Sequence, residues 1–194
     1  MLVFGHAGIT LGAVIIVQKV IRKKSGAGNS PAQPASPFYT FVNGIDFRVL
    51  LVGSLLPDII DKPLGLVILR NSISAGRIYA HTLFSLILTT LGGIILYRSR
   101  RQKWLLVLAI GTLSHLILDT MWLEPFVLFW PLYGWSFTRQ DTSEYFAHLA
   151  QDFTTHPDVF LGEIAGFIVA VVVGVMLLRK RKRLRDFLIT GRLT

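Results

Sequence analysis

The chain has 194 residues, of which 52% are hydrophobic and only 16% charged, and its mean hydropathy is +0.57. That balance excludes an ordinary water-soluble domain and marks a membrane protein. The net charge of +9 does not point to nucleic acid, and no nucleic-acid partner is expected, because the basic residues form short clusters beside apolar segments, which suits membrane orientation and anionic lipid.

A helix crossing hydrocarbon needs about 20 apolar residues, and Leu2 to Ile21 is the first such run. It begins apolar at once, without a basic leader or a persuasive small-residue cleavage site, and is read as a retained helix. Arg22-Lys23-Lys24 closes it, and residues 25–37, rich in Ser, Gly, Ala and Pro, are predicted to form a flexible cytoplasmic loop. Phe47 to Ile60 offers a run of roughly 14 residues, a short span or a re-entrant helix, and Pro63 to Leu69 continues it after a break. Further spans are predicted at Ile78 to Tyr97, Trp104 to Leu123 and Val159 to Leu178, with Arg98 to Lys103 between the first two. Residues 124–158 mix aromatic and acidic side chains and are predicted to form an extracytoplasmic cap, and residues 179–194 a basic cytoplasmic tail that attracts anionic lipid. Pro57 and Pro131 are expected to end helices, Gly92-Gly93 and Gly162/Gly166 to let helices pack closely, and Trp122, Trp130, Tyr133 and Trp135 to form an interfacial belt.

The expected fold is therefore all-α, one membrane-embedded domain over 1–194, a polytopic transmembrane bundle of about five spans. By the positive-inside rule the three basic clusters, after the first span, between the third and fourth, and after the last, belong in the cytoplasm. Five crossings with the N-terminus outside and the C-terminus inside satisfy all three at once, in a plasma or inner membrane. The segment 124–158 carries five acids against the single Arg139, which fits the outer side.

That orientation gathers the intramembrane ionisable residues at one face. His6, Asp58, Asp61, His81, His115, Asp119 and Glu163 all fall within roughly 15 Å of the outer boundary at 1.5 Å rise per residue. Such groups are costly in a bilayer unless paired or bound to a cation, and they mark function by default. His115 and Asp119, four apart, share a helix face and can chelate one ion. With no cysteine in the chain, a metal must be held by His, Asp or Glu; zinc is the first choice, one to three ions, with manganese or iron(II) as alternatives. An uncoordinated Asp58 or Asp61 would serve as general base. His148 and Asp152 repeat the spacing in the cap, followed by His156, and are candidates to complete the site or to face solvent. Arg77, four residues before His81, is expected on the same helix face, as a phosphate-binding fork or a snorkelling interfacial residue.

Gly53-Ser54-Leu55-Leu56-Pro57-Asp58, then Arg77 with His81-Thr82, then Ser114-His115-Leu116-Ile117-Leu118-Asp119, preceded by His6, together resemble the predicted membrane-bound metal-dependent hydrolases, the group that includes a LexA-regulated inner-membrane protein. That family is in turn similar to zinc-dependent phospholipase C and the P1-type nucleases. The resemblance implies His6, Asp58, His81, His115 and Asp119 as ligands, with Glu163 as a further one, around metal that hydrolyses a phosphodiester. Two departures stand out: Pro57-Asp58-Ile59-Ile60-Asp61 is one residue longer than the usual PDxD, and Gly76 replaces the usual His before Arg77. The leading expectation is a phosphoesterase acting on a lipid head group at the outer interface, with membrane lipid as environment and substrate. The alternatives are an ion- or proton-coupled carrier using the same groups and a scaffold with a structural metal.

Overall fold

The computed structural model describes residues 3–24, 36–137 and 157–193. Residues 25–35 of the expected loop, much of the expected cap, and with it His148, Asp152 and His156, lie outside the described residues. Among the described residues the chain is all-helical: α1 (Val3–Lys24), α2 (Pro37–Asn43), α3 (Phe47–Pro63), α4 (Leu83–Arg100), α5 (Trp104–Leu118), α6 (Pro125–Leu128), α7 (Pro157–Leu178) and α8 (Arg181–Thr190). A π-helical stretch, Leu64–Ile68, extends α3, and a short 3-10 turn, Met121–Leu123, follows α5.

Five of these helices occupy the places where spans were predicted, but only two are long and apolar enough to cross a bilayer: Val3–Lys23, mean hydropathy 1.6, and Val159–Leu178, mean hydropathy 2.5. The α5 helix is apolar but stops after 15 residues, and α3 carries Asp58, Asp61 and Lys62 in its last turns. A core helix of a soluble protein would be mostly buried, whereas only 17% of the α7 stretch is. The outward faces of α4 and α7, including Leu88, Ile95, Leu161 and Phe167, are exposed and apolar, while His6, Asp61, His81 and His115 are wholly buried. Apolar outside and polar within is the arrangement a lipid solvent selects.

The bundle is built on two close crossings. Gly8 of α1 meets the backbone of Gly166 in α7, and Gly111 of α5 meets that of Leu50, Gly53 and Ser54 in α3, so that a Cβ at either crossing would run into the neighbouring main chain. Without a hydrophobic drive between helices in lipid, such small-residue contacts let dispersion and backbone polarity hold the pair. Of the glycines predicted to serve this way, Gly166 does so directly, and Gly93 lies against Leu106 of α5.

Pro57 does not end a helix as expected; it lies inside α3. Lacking an N–H, it leaves the Gly53 carbonyl four residues back without a helical donor. Thr112 Oγ1 of α5 supplies one at 3.3 Å, and the next carbonyl, Ser54, accepts from His115 Nδ1 at 2.7 Å. The neighbouring helix thereby satisfies the break, as a buried backbone requires.

At the opposite end, Leu11, Ile45, Phe47, Leu50 and Val107 form an apolar core, against which Phe187 and Leu193 pack. The predicted tail contains α8, which docks on the start of α3: Phe47 N–H donates to the Gly191 carbonyl at 2.8 Å and Arg48 Nη1 to the Leu188 carbonyl at 2.6 Å. Asp46 caps α3 by accepting from the Arg48 N–H, and the Arg48 guanidinium beside it holds its carboxyl below the usual carboxylate range.

Candidate metal centre

The ends of α1, α3 and α5 that carry His6, Asp58, His115 and Asp119 meet at one end of the bundle, where the segment before α4 adds His81. Two overlapping groups result among the described residues, His6–His115–Asp119 and Asp58–His81–His115, each offering one ligand atom per residue, all within 4.8 Å of one another. His115 belongs to both. Its Nε2 lies 3.2 Å from His81 Nε2, 3.8 Å from Asp119 Oδ2 and 4.0 Å from Asp58 Oδ1. Asp58 Oδ1 lies 3.6 Å from His81 Nε2, and His6 Nε2 pairs with Asp119 Oδ1 at 3.0 Å while its ring stacks on that of His115 at 4.1 Å.

The proton positions follow from the partners. A carbonyl only accepts, so the bond to Ser54 places the His115 proton on Nδ1 and turns Nε2, as an acceptor, toward the centre. His81 Nδ1 donates to Asp61 Oδ2 at 2.7 Å, which orients its Nε2 the same way. Two acceptor nitrogens facing each other at 3.2 Å, ringed by carboxylates, call for a positive charge between them, a metal ion or a shared proton. The separation suits a metal: a tetrahedral zinc with Zn–N of about 2.0–2.1 Å sets neighbouring ligand atoms roughly 3.3 Å apart.

Several expectations need correction. The Ile78 to His81 segment is not helical, and Arg77 and His81 therefore share no helix face; α4 begins only at Leu83, with Thr82 capping it by accepting from Ser85 N–H at 3.1 Å. The reason is Asp61. Its carboxylate is buried and accepts the backbone N–H groups of Ile78 at 2.9 Å, Ala80 at 3.0 Å and His81 at 3.1 Å, so these donors are withheld from a helical ladder. Those bonds and His81 Nδ1 occupy Asp61, which places it behind His81 instead of at the centre; of the two carboxylates expected as alternative bases, Asp58 is the one that faces the cluster. Tyr79, between the captured residues, packs edge-on against Trp130 at 5.3 Å and Phe137 at 5.1 Å, so part of the predicted aromatic belt clamps this segment. Asp119 is the residue just after α5; its N–H bonds the His115 carbonyl at 2.9 Å, which preserves the expected one-turn pairing.

Glu163 belongs to neither group. Its carboxylate accepts the N–H of Phe4 at 3.1 Å and of Gly5 at 2.9 Å, two of the donors that the first turn of α1 leaves without helical partners. Glu163→Ala is expected to cost about 1–2 kcal/mol of stability, the usual worth of such a cap, while leaving metal content as in wild type; elemental analysis beside a thermal melt checks both. Metal lost with stability unchanged would restore it to the ligand set.

Arg77 reaches Asp119 Oδ2 through Nε at 3.2 Å and Nη2 at 3.0 Å, with Glu124 Oε1 3.8 Å from Nη1. It remains more than a third exposed and lines a recess of about 260 Å³ with Glu124, Phe126 and Phe137. Lys62, which sequence reasoning passed over, pairs with Asp58 Oδ2 at 2.7 Å; its four-residue spacing from Asp58 was the available signal.

Fold and site together define a helical membrane protein whose buried polar interior converges on one cluster of imidazoles and carboxylates. The chain belongs to the YdjM inner membrane protein family, whose model matches residues 1–183. No curated protein and no solved structure matches it.

Proposed function

We propose that the protein is a metal-dependent hydrolase of phosphoesters at the outer membrane interface, with lipid head groups as substrates. The observation that carries this reading is the pair of acceptor nitrogens on His81 and His115, facing each other at 3.2 Å beside Asp58 and Asp119. His81, His115 and Asp58 would hold one ion, and His6 with Asp119 would complete the set or hold a second. A zinc ion held there would supply a Lewis acid and would bring the pKa of a bound water to about 7.

The chain's own groups fill the remaining roles. Asp61 and the Ser54 carbonyl orient the two imidazoles. Lys62 and Arg77 offer the positive charge that a phosphoryl group requires, and Arg77 exchanges its contacts to Asp119 and Glu124 for a phosphate presented from the adjoining recess. Asp58 Oδ2 pairs with Lys62 at 2.7 Å, and when Lys62 turns to the phosphoryl group that oxygen is freed to accept a proton. The proposed topology has five crossings: α3, α4 and α5, which lack the length or apolarity to span alone, would cross packed against one another and α1, with α7 as the fifth. The basic clusters at Arg22 to Lys24, Arg98 to Lys103 and Arg179 to Arg185 would lie at the end away from the site, in the cytoplasm. The apolar core of Leu11, Phe47, Leu50 and Val107 closes the inner half, which favours a hydrolase over a carrier with a continuous polar path.

The test is phosphorus NMR of mixed micelles of phosphatidylglycerol or phosphatidylethanolamine with the zinc-supplemented protein. Release of a water-soluble phosphorylated head group is expected, at least ~100-fold slower for Asp58→Asn, within the usual range for losing a general base. No release from either lipid, or equal rates in the variant, would overturn the reading.

A further inference from the structure

At the far end of the bundle from the His/Asp cluster lies a second feature of different chemistry. The crossing at Gly8 and Gly166 brings α1 and α7 together, and toward their other ends the two helices enclose a groove of about 490 Å³ whose floor includes α8 and the residues after it. Ile15 and Ile16 of α1 and Val172 and Met176 of α7 line its walls, and Lys19, Arg22 and Arg183 are the cations that line it. Among the described residues none of these three pairs with a carboxylate. Arg22 spends only its Nε–H, on Asn43 Oδ1 at 2.6 Å.

An apolar groove of that size, within the ~300–1,000 Å³ range of ligand pockets, with three unneutralised cations, has the polarity of a single amphiphile: an acyl chain and an anionic head group. The walls face the hydrocarbon that α7 already contacts, so the occupant enters from the bilayer and needs no path through water. We infer that this groove is a specific binding site for one anionic phospholipid, with an acyl chain between α1 and α7 and its phosphate held by Lys19, Arg22 and Arg183. The site is separate from the proposed hydrolytic one and does not depend on it. Arg183 is contributed by α8, so the same lipid would tie the docked C-terminal helix to the bundle.

Native mass spectrometry of the detergent-purified full-length chain, titrated with phosphatidylglycerol or with phosphatidylcholine of the same acyl chains, tests this. One phosphatidylglycerol per chain is expected to be retained at least ~10-fold more tightly than phosphatidylcholine, a difference of about 1.4 kcal/mol. The charge reversal Lys19→Glu/Arg22→Glu/Arg183→Glu should abolish that preference. Ile16→Trp/Val172→Trp fills the groove from two positions already exposed to lipid, leaves every charge in place, and should also lose the retained lipid. Should the charge variant fail to fold by circular dichroism, the tryptophan pair decides alone. Equal retention of the two lipids by wild type, or phosphatidylglycerol still retained by the tryptophan variant, would overturn the site.

Discussion

His115→Ala should empty the purified protein of metal. Wild type is expected to carry roughly one or more zinc, manganese or iron ions per chain by elemental mass spectrometry, and the variant close to none, because His115 is the member that both candidate groups share. Losing it breaks each group at once, whereas losing His6 or His81 leaves the other group whole. The ring is fully buried and stacked on His6, so circular dichroism in detergent must accompany the measurement. Asp119→Asn, nearly isosteric, serves as the second variant and should weaken binding without removing a side chain. A His115→Ala protein that folds and keeps its full metal content would sink the assignment, and a well-folded wild type without metal even after supplementation would leave a shared proton as the charge between the imidazoles.

The second large effect falls on stability. Asp61→Ala is expected to cost about 3 kcal/mol or more, since each buried donor left unsatisfied costs ~1–3 kcal/mol, read as a lowered unfolding temperature in detergent. The loss is concentrated: three backbone N–H groups and His81 Nδ1 lose their common acceptor in a wholly buried place. Asp61→Asn keeps one acceptor oxygen and should cost less, but its amide cannot hold His81 as a carboxylate does, so metal affinity is expected to fall about 10- to 100-fold. Asp58→Ala gives the contrast, since Asp58 is partly exposed and pairs with Lys62: metal binding should suffer while the melting temperature moves little. An Asp61→Ala protein with wild-type stability would mean that the Ile78 to His81 segment is held by something other than this carboxylate.

Much of this arrangement was legible in the sequence, for a physical reason. A bilayer makes isolated ionisable groups conspicuous, so His6, Asp58, His81, His115 and Asp119 stood out against apolar runs, and the five long helices lie where those runs are. Hydropathy is blind to hydrogen-bond competition, however. It could not show that Asp61 captures the amides ahead of α4, delaying the helix to Leu83, or that Glu163 turns to the α1 terminus instead of the cluster. Pro57 departs from expectation for a related reason: a proline ends a helix when the carbonyl it orphans has no donor, and the donor here comes from a different helix. The docking of α8 rests on backbone contacts of Phe47 and Arg48 that have no side-chain pattern to betray them.

That orphaned turn of α3 has a consequence for readiness. In hydrocarbon a carbonyl without a helical donor cannot turn to water, so α5 must present N–H or O–H groups at the matching height before the two helices can associate. Thr112 supplies that donor to Gly53, and His115, three residues on, bonds the next carbonyl, Ser54. The same helix contact that completes the backbone of α3 therefore also selects the tautomer of an imidazole on α5. Preorganisation of the centre is then an outcome of assembly: a chain whose α3 and α5 have met correctly already carries the His115 lone pair aimed inward, before any ion arrives.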